Sequence, residues 1–132
     1  MGVTTMKETN ASVRFDIWTS GSLVWPALFA LLNVGLSIVA NSSFRLSATS
    51  SSWRGFLAWQ VAGNLAGFLS VLALTGLLRL VPLHVAYPIT AGLTVVGVQV
   101  VAARWFFGEV ISPSQWLGAM CVVVGIVLIG RR

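Results

Sequence analysis

Of the 132 residues, 57% are hydrophobic and 8% charged, a balance that excludes a water-soluble globule because no core of this size hides so much apolar surface. Its solvent is lipid: a span takes roughly 20 mostly apolar residues, so four spans with their turns fill nearly the whole length and leave no room within it for a soluble catalytic domain. The formal charge of +5 does not point to nucleic acid, since Lys7, Arg14, Arg45, Arg54, Arg79, Arg104, Arg131 and Arg132 stand near the ends of apolar runs, as basic residues do beside membrane spans.

Residues 1–22 read as a polar or interfacial tail carrying Lys7, Glu8, Arg14 and Asp16. A signal peptide is not expected, because the apolar run that follows is long enough to span and lacks a clear cleavage site. The transmembrane domain is expected over 23–130. Its first span covers about 23–40, with Trp18 and Trp25 at the level of interfacial aromatics, and gives way to the polar connector NSSFRLSATSSSWR. The second span, about 55–78, stops at Arg79 and is followed by a turn with Pro82 and His84.

The third, about 85–107, has Pro88 in its opening turns, where a missing N–H is tolerated. GEVISPSQ is a hairpin connector. Within it Ser112, three residues before Gln115, has the pattern of a helix cap for the fourth span, about 114–129. The fold class is therefore an all-α membrane protein, a four-transmembrane-helix bundle. Four spans put both termini on one side. Lys7, Arg14, Arg79, Arg131 and Arg132 then face Arg45, Arg54 and Arg104 across the bilayer, a bias that favours a cytoplasmic N-terminus and is also compatible with insertion in both orientations as an antiparallel pair.

Polar side chains inside lipid are costly unless they face protein or a cavity, so their helical spacing is the best guide to a site. Asn33, Ser37 and Asn41 succeed one another at one-turn intervals in the first helix. Gln60 and Asn64 do the same in the second, with Gly67 and Thr75 roughly on that side. Tyr87, Thr90 and Thr94 share a face with Gly97 in the third. Asn33, Gln60, Asn64, Tyr87, Thr90 and Thr94 are the candidates for lining an uncharged polar groove. The alternative is that Asn33, Gln60 and Asn64 are interhelical hydrogen-bond contacts, each contributing roughly 0.6 to 2 kcal/mol. Gln99 lies off the Tyr87 face and reads as a helix contact.

Gly63 and Gly67 form a GxxxG pattern, which fits packing within one chain as well as dimerisation, and Gly118 and Gly125 form a second close-packing stripe. Cys121, alone in an apolar run, reads as a small buried residue. Glu8, Asp16 and Glu109 lie outside the spans and His84 stands alone, so there is no carboxylate pair, metal-ligand cluster or nucleophile–base set. Neither enzymatic activity nor a cofactor or metal is expected.

From His84 onward the chain closely resembles the last two helices of small multidrug resistance proteins and of the wider EamA-like drug/metabolite transporter superfamily. The matching features are AYP at Ala86, Tyr87 and Pro88, FFGE at Phe106 to Glu109, and WLG followed by Gly125. They cover about a third of the chain. The resemblance implies a four-helix antiparallel homodimer joined through the fourth helix, here through Gly118 and Gly125. In that family a glutamate in the first helix exchanges protons for cationic substrates; Asn33 occupies its position and does not titrate. Thr90 stands where the family has a tryptophan, and the spacing to FFGE is about one residue longer.

The chain is also similar to short flippase subunits proposed to move aminoarabinose-lipid across the inner membrane, which share the AYP opening and the SP-x-x-W entry seen at Ser112, Pro113 and Trp116 and lack the glutamate. These likenesses imply a small inner-membrane transporter or lipid/metabolite flippase without glutamate-based proton antiport. Expected partners are membrane lipid and a second copy or a paralogous small subunit. Loss of the glutamate motivates an alternative from another class, a non-transporting accessory or assembly subunit of a larger membrane complex.

Overall fold

The computed structural model describes residues 23–131. The tail residues Lys7, Glu8, Arg14, Asp16 and Trp18, and Arg132, lie outside them. Four helices long and apolar enough to cross a membrane follow one another: α1 (Val24–Ala48), α2 (Trp53–Leu78), α3 (Leu83–Gly97), which continues as a π-helical stretch Val98–Phe106, and α4 (Pro113–Gly130). The protein is an integral, multi-pass membrane protein.

Helix α1 runs two turns past Ala40, where its apolar run ends. The polar residues there are not a loop, because their small side chains let the backbones of α1 and α2 approach. Ser43 and Ser47 are buried. Ser43 Oγ turns back on the Val39 carbonyl at 2.9 Å, and Ser47 Oγ donates to the Phe56 carbonyl across the hairpin at 2.8 Å. Ser52 caps α2 by accepting from the Gly55 N–H.

Down the α1–α2 pair, Phe44 lies over Gly63, where a Cβ would come within 2.6 Å of its ring, and Phe29 lies over Gly76 near the other end. The GxxxG pattern is thus spent within the chain: Gly63 meets α1 closely, while Gly67 reaches only as far as Ala40.

Helix α3 starts at Leu83, so Pro88 falls in its second turn. There it removes the N–H that would have bonded the His84 carbonyl. Gly97 receives Ile38 of α1, and Gly92 receives Ile126 and Val122 of α4. The order of packing is therefore α2, α1, α3, α4, with α1 and α3 at the centre.

Helix α4 begins with a complete capping box between Ser112 and Gln115, so its start agrees with the spacing of those two residues. It packs only on α3. Ala119 is its sole buried residue among those described. Cys121, expected to be buried, is exposed instead, for α4 has no second neighbour to cover it.

Candidate functional site

Asn33 is buried between α1 and α2. Its Nδ2 donates to the Ser70 carbonyl at 2.8 Å and to Ser70 Oγ at 2.9 Å. Ser70 Oγ also lies 3.1 Å from the Asn33 carbonyl and 2.7 Å from Ser37 Oγ. A polar amide facing α2 inside lipid is held there because its NH2 group finds partners on that helix. Sequence spacing pairs Asn33 with Ser37; the partner that completes the knot, Ser70, is on the other helix and gives no periodic signal of its own.

The remaining polar candidates do not converge on Asn33. Asn64 is exposed and donates back to the Gln60 carbonyl at 2.7 Å; Gln60 is half-buried. Thr90 is buried, with its hydroxyl on the Ala86 carbonyl of its own helix at 2.9 Å. Thr94 is half-buried, and Tyr87, 57% exposed, presents its ring outward from the single chain. Asn41 is exposed and bonds the Ser37 carbonyl. Around Gly118 and Gly125 a Cβ would meet nothing within 4 Å, so that stripe is unfilled within one chain.

A different arrangement occupies the end of the bundle where α1 and α3 finish and α2 and α4 start. A groove of about 410 Å³ opens between the π-helical stretch and α4, with Gln99, Glu109 and Gln115 among its walls. Gln99 Nε2 donates to the Gln115 carbonyl at 3.1 Å, tying α3 to α4 at its side.

At the edge Arg45 of α1 meets Glu109: Nη2 and Nε both reach Oε1, at 2.9 and 3.0 Å. The guanidinium also lies over the Phe107 ring, 5.9 Å from its centroid. What brings Glu109 there is Gly108, whose φ of +63° is in the left-handed region that glycine adopts without steric cost. The Glu109 N–H then closes on the Ala103 carbonyl at 2.8 Å, reaching farther back than in the usual glycine-capped helix end. Sequence reasoning put Glu109 outside the spans and in the matching FFGE turn without giving it a role; its signal was that turn, in which glycine precedes the only carboxylate side chain of the described residues.

Among known proteins, the chain is 35% identical over 82 residues to the probable 4-amino-4-deoxy-L-arabinose-phosphoundecaprenol flippase subunit ArnE of Aeromonas salmonicida (strain A449), covering 61% of this chain and 69% of that one. The chain belongs to the small multidrug resistance and EamA-like drug/metabolite transporter superfamily. A second relative, the uncharacterized protein y4nH of Sinorhizobium fredii (strain NBRC 101917 / NGR234), is 35% identical over 63 residues, spanning about half of either chain. No family model matches the sequence, and no solved structure matches it. Its four apolar spans carry in the first of them Asn33, whose amide is held by Ser70.

Proposed function

We propose that this protein is a subunit of an inner-membrane flippase that carries a lipid-linked polar headgroup without glutamate-based proton exchange. The observation that carries the reading is the distribution of charge: Arg45, Arg54 and Arg104 lie in the terminal turns of their helices, and Asn33 replaces a titrating group at mid-span. An uncharged interior suits a neutral or zwitterionic cargo, and the kinship with a flippase subunit supports a lipid as that cargo. Asn33, Gln60, Asn64, Tyr87, Thr90 and Thr94 line the route in this proposal, completed by a partner chain seated along Gly118 and Gly125. Both termini are cytoplasmic. The exposure of Tyr87 and Asn64 in one chain supports a route closed by a second.

The test is reconstitution into vesicles containing a fluorescently tagged polyprenyl-phosphate sugar, with a membrane-impermeant quencher reading its outer-leaflet fraction. Flipping above that of empty vesicles, unchanged when the proton gradient is collapsed, is the expected result. Gradient-dependent flipping, or none in the presence of every co-purifying chain, overturns the reading. The thin burial of α4 favours one further reading, an accessory subunit of a larger complex. It predicts fixed stoichiometry with other proteins in native mass measurements and no flipping from the complex.

A further inference from the structure

The groove between α3 and α4 and the ion pair at its edge take no part in the mid-membrane route. The pair has an unusual division of labour. Two guanidinium nitrogens converge on one carboxylate oxygen, so the side-by-side fork of which arginine and carboxylate are capable is not formed, and Nη1 and Oε2 stay outside it. Side-chain exposures of 50% and 44% mean that the pair contributes little to stability and opens at little cost.

Charge decides what fits. A plain anion drawn to Arg45 would meet the Glu109 carboxylate that lines the groove, and a plain cation at Glu109 would meet Arg45. A headgroup that carries both charges satisfies both residues.

Deeper in the groove the side-chain oxygen of Gln99, Oε1, and the side-chain nitrogen of Gln115, Nε2, make no hydrogen bond to any described residue, while Gln99 Nε2 and Gln115 Oε1 are already engaged. They offer one acceptor and one donor group to hydroxyls. Beyond them the walls are apolar, including Val95, Ile111 and Val122. Trp105 and Phe106, 88% and 70% exposed beside this end, mark the level at which headgroups lie. Arg54 and Arg104 at the same end add positive potential for a phosphate.

We propose that this groove is a headgroup site for an amine-bearing, lipid-linked sugar phosphate: the phosphate on Arg45, the ammonium on Glu109, sugar hydroxyls on Gln99 and Gln115, and the lipid chain along the apolar wall. The proposal rests on the flippase reading for its choice of a lipid-linked sugar over a bulk aminophospholipid of the same charge pattern.

Binding to the purified full chain in maltoside detergent tests it, titrated by native mass spectrometry with four probes. These are farnesyl phosphate, its ester with a 4-amino-4-deoxy pentose, the same ester with a 4-hydroxyl, and lysophosphatidylethanolamine. The amino ester binds roughly tenfold more tightly than the hydroxyl ester, the gain expected of one charge-assisted hydrogen bond. Glu109→Gln makes the two equal. Arg45→Gln weakens all the phosphates.

Equal binding of the two esters by the native chain, or an amine preference that survives Glu109→Gln, overturns the site. Lysophosphatidylethanolamine binding as tightly as the amino ester overturns the sugar-linked ligand. Should either single variant lose its fold, the exchange Arg45→Glu with Glu109→Arg keeps an ion pair while reversing the charges, and it abolishes the preference; preference retained in that variant also overturns the site. Vesicle flipping is read separately: amine-selective binding without flipping removes the flippase and leaves the site, and flipping without amine selectivity does the reverse.

Discussion

At the scale of single residues, small side chains set how closely the helices approach, and the neighbouring atoms decide which of them tolerate change. At Gly63 an added Cβ would meet Phe44 at 2.6 Å and the Ala40 carbonyl oxygen at 3.2 Å. The ring can turn, but the backbone oxygen cannot. Gly63→Ala is therefore expected to cost about 1–3 kcal/mol by forcing α1 from α2, whereas Gly35→Ala, with nothing within 4 Å, stays within roughly 0.5 kcal/mol. Unfolding in mixed micelles with a denaturing detergent measures both.

The Asn33–Ser70 knot makes a sharper claim. Asn33→Ala and Ser70→Ala both remove the Asn33 Nδ2–Ser70 Oγ bond, so the double variant is expected to lose less than the sum of the two; full additivity would mean that the two side chains act apart. Gly108→Ala strains a left-handed position at roughly 1–2 kcal/mol and displaces Glu109. A loss of the amine preference with the spans still folded is the expected reading.

At the scale of elements, periodicity and capping made the four helices legible: long apolar runs require spans, and Ser112 with Gln115 announced α4. The end of α1 was hidden because hydropathy treats serine as a loop residue. Ser43 and Ser47 instead satisfy their hydroxyls on backbone carbonyls inside the hairpin. Of the polar candidates, spacing along one helix grouped Asn33 with Ser37 but gave no sign of Ser70, since contacts between helices leave no periodic trace in either.

The π-helical stretch was equally unannounced, although the spacing to FFGE, about one residue longer than in the small multidrug resistance pattern, is the length that a π insertion absorbs. Its consequence is rotational. Inserting an alanine after Val101 adds a residue beyond the one that the π stretch absorbs and is expected to turn Phe107–Glu109 by about 100° relative to α1, which breaks the Arg45–Glu109 pair. Unchanged helical content by circular dichroism, with the amine preference gone, is the expected outcome; preserved preference would show that the π geometry does not position Glu109.

At the scale of the whole molecule, the unequal burial of the helices is what calls for a partner. Helices α1 and α3 each have neighbours on two sides, whereas α4 touches α3 alone and leaves Leu117, Val124 and Leu128 exposed. In lipid this exposure is not unfavourable by itself, because helix association there is driven by close packing and not by escape from water. The informative feature is the absence of side chains at Gly118 and Gly125, where another backbone can approach.

Cys121 lies one turn from each of these glycines, on their side of α4, and it is the chain's single cysteine, so the protein carries its own reporter. If two copies pair along this stripe, mild oxidation of native membranes joins them through Cys121, since a disulfide forms only where the two Cα atoms come within about 7 Å. Gly118→Leu, which fills the stripe without touching the thiol, then abolishes the cross-link and leaves the monomer folded. A cross-linked species that contains a different chain would assign the stripe to a paralogous subunit. No cross-link in membranes where flipping is intact would place the partner on another face and remove Gly118 and Gly125 from the interface.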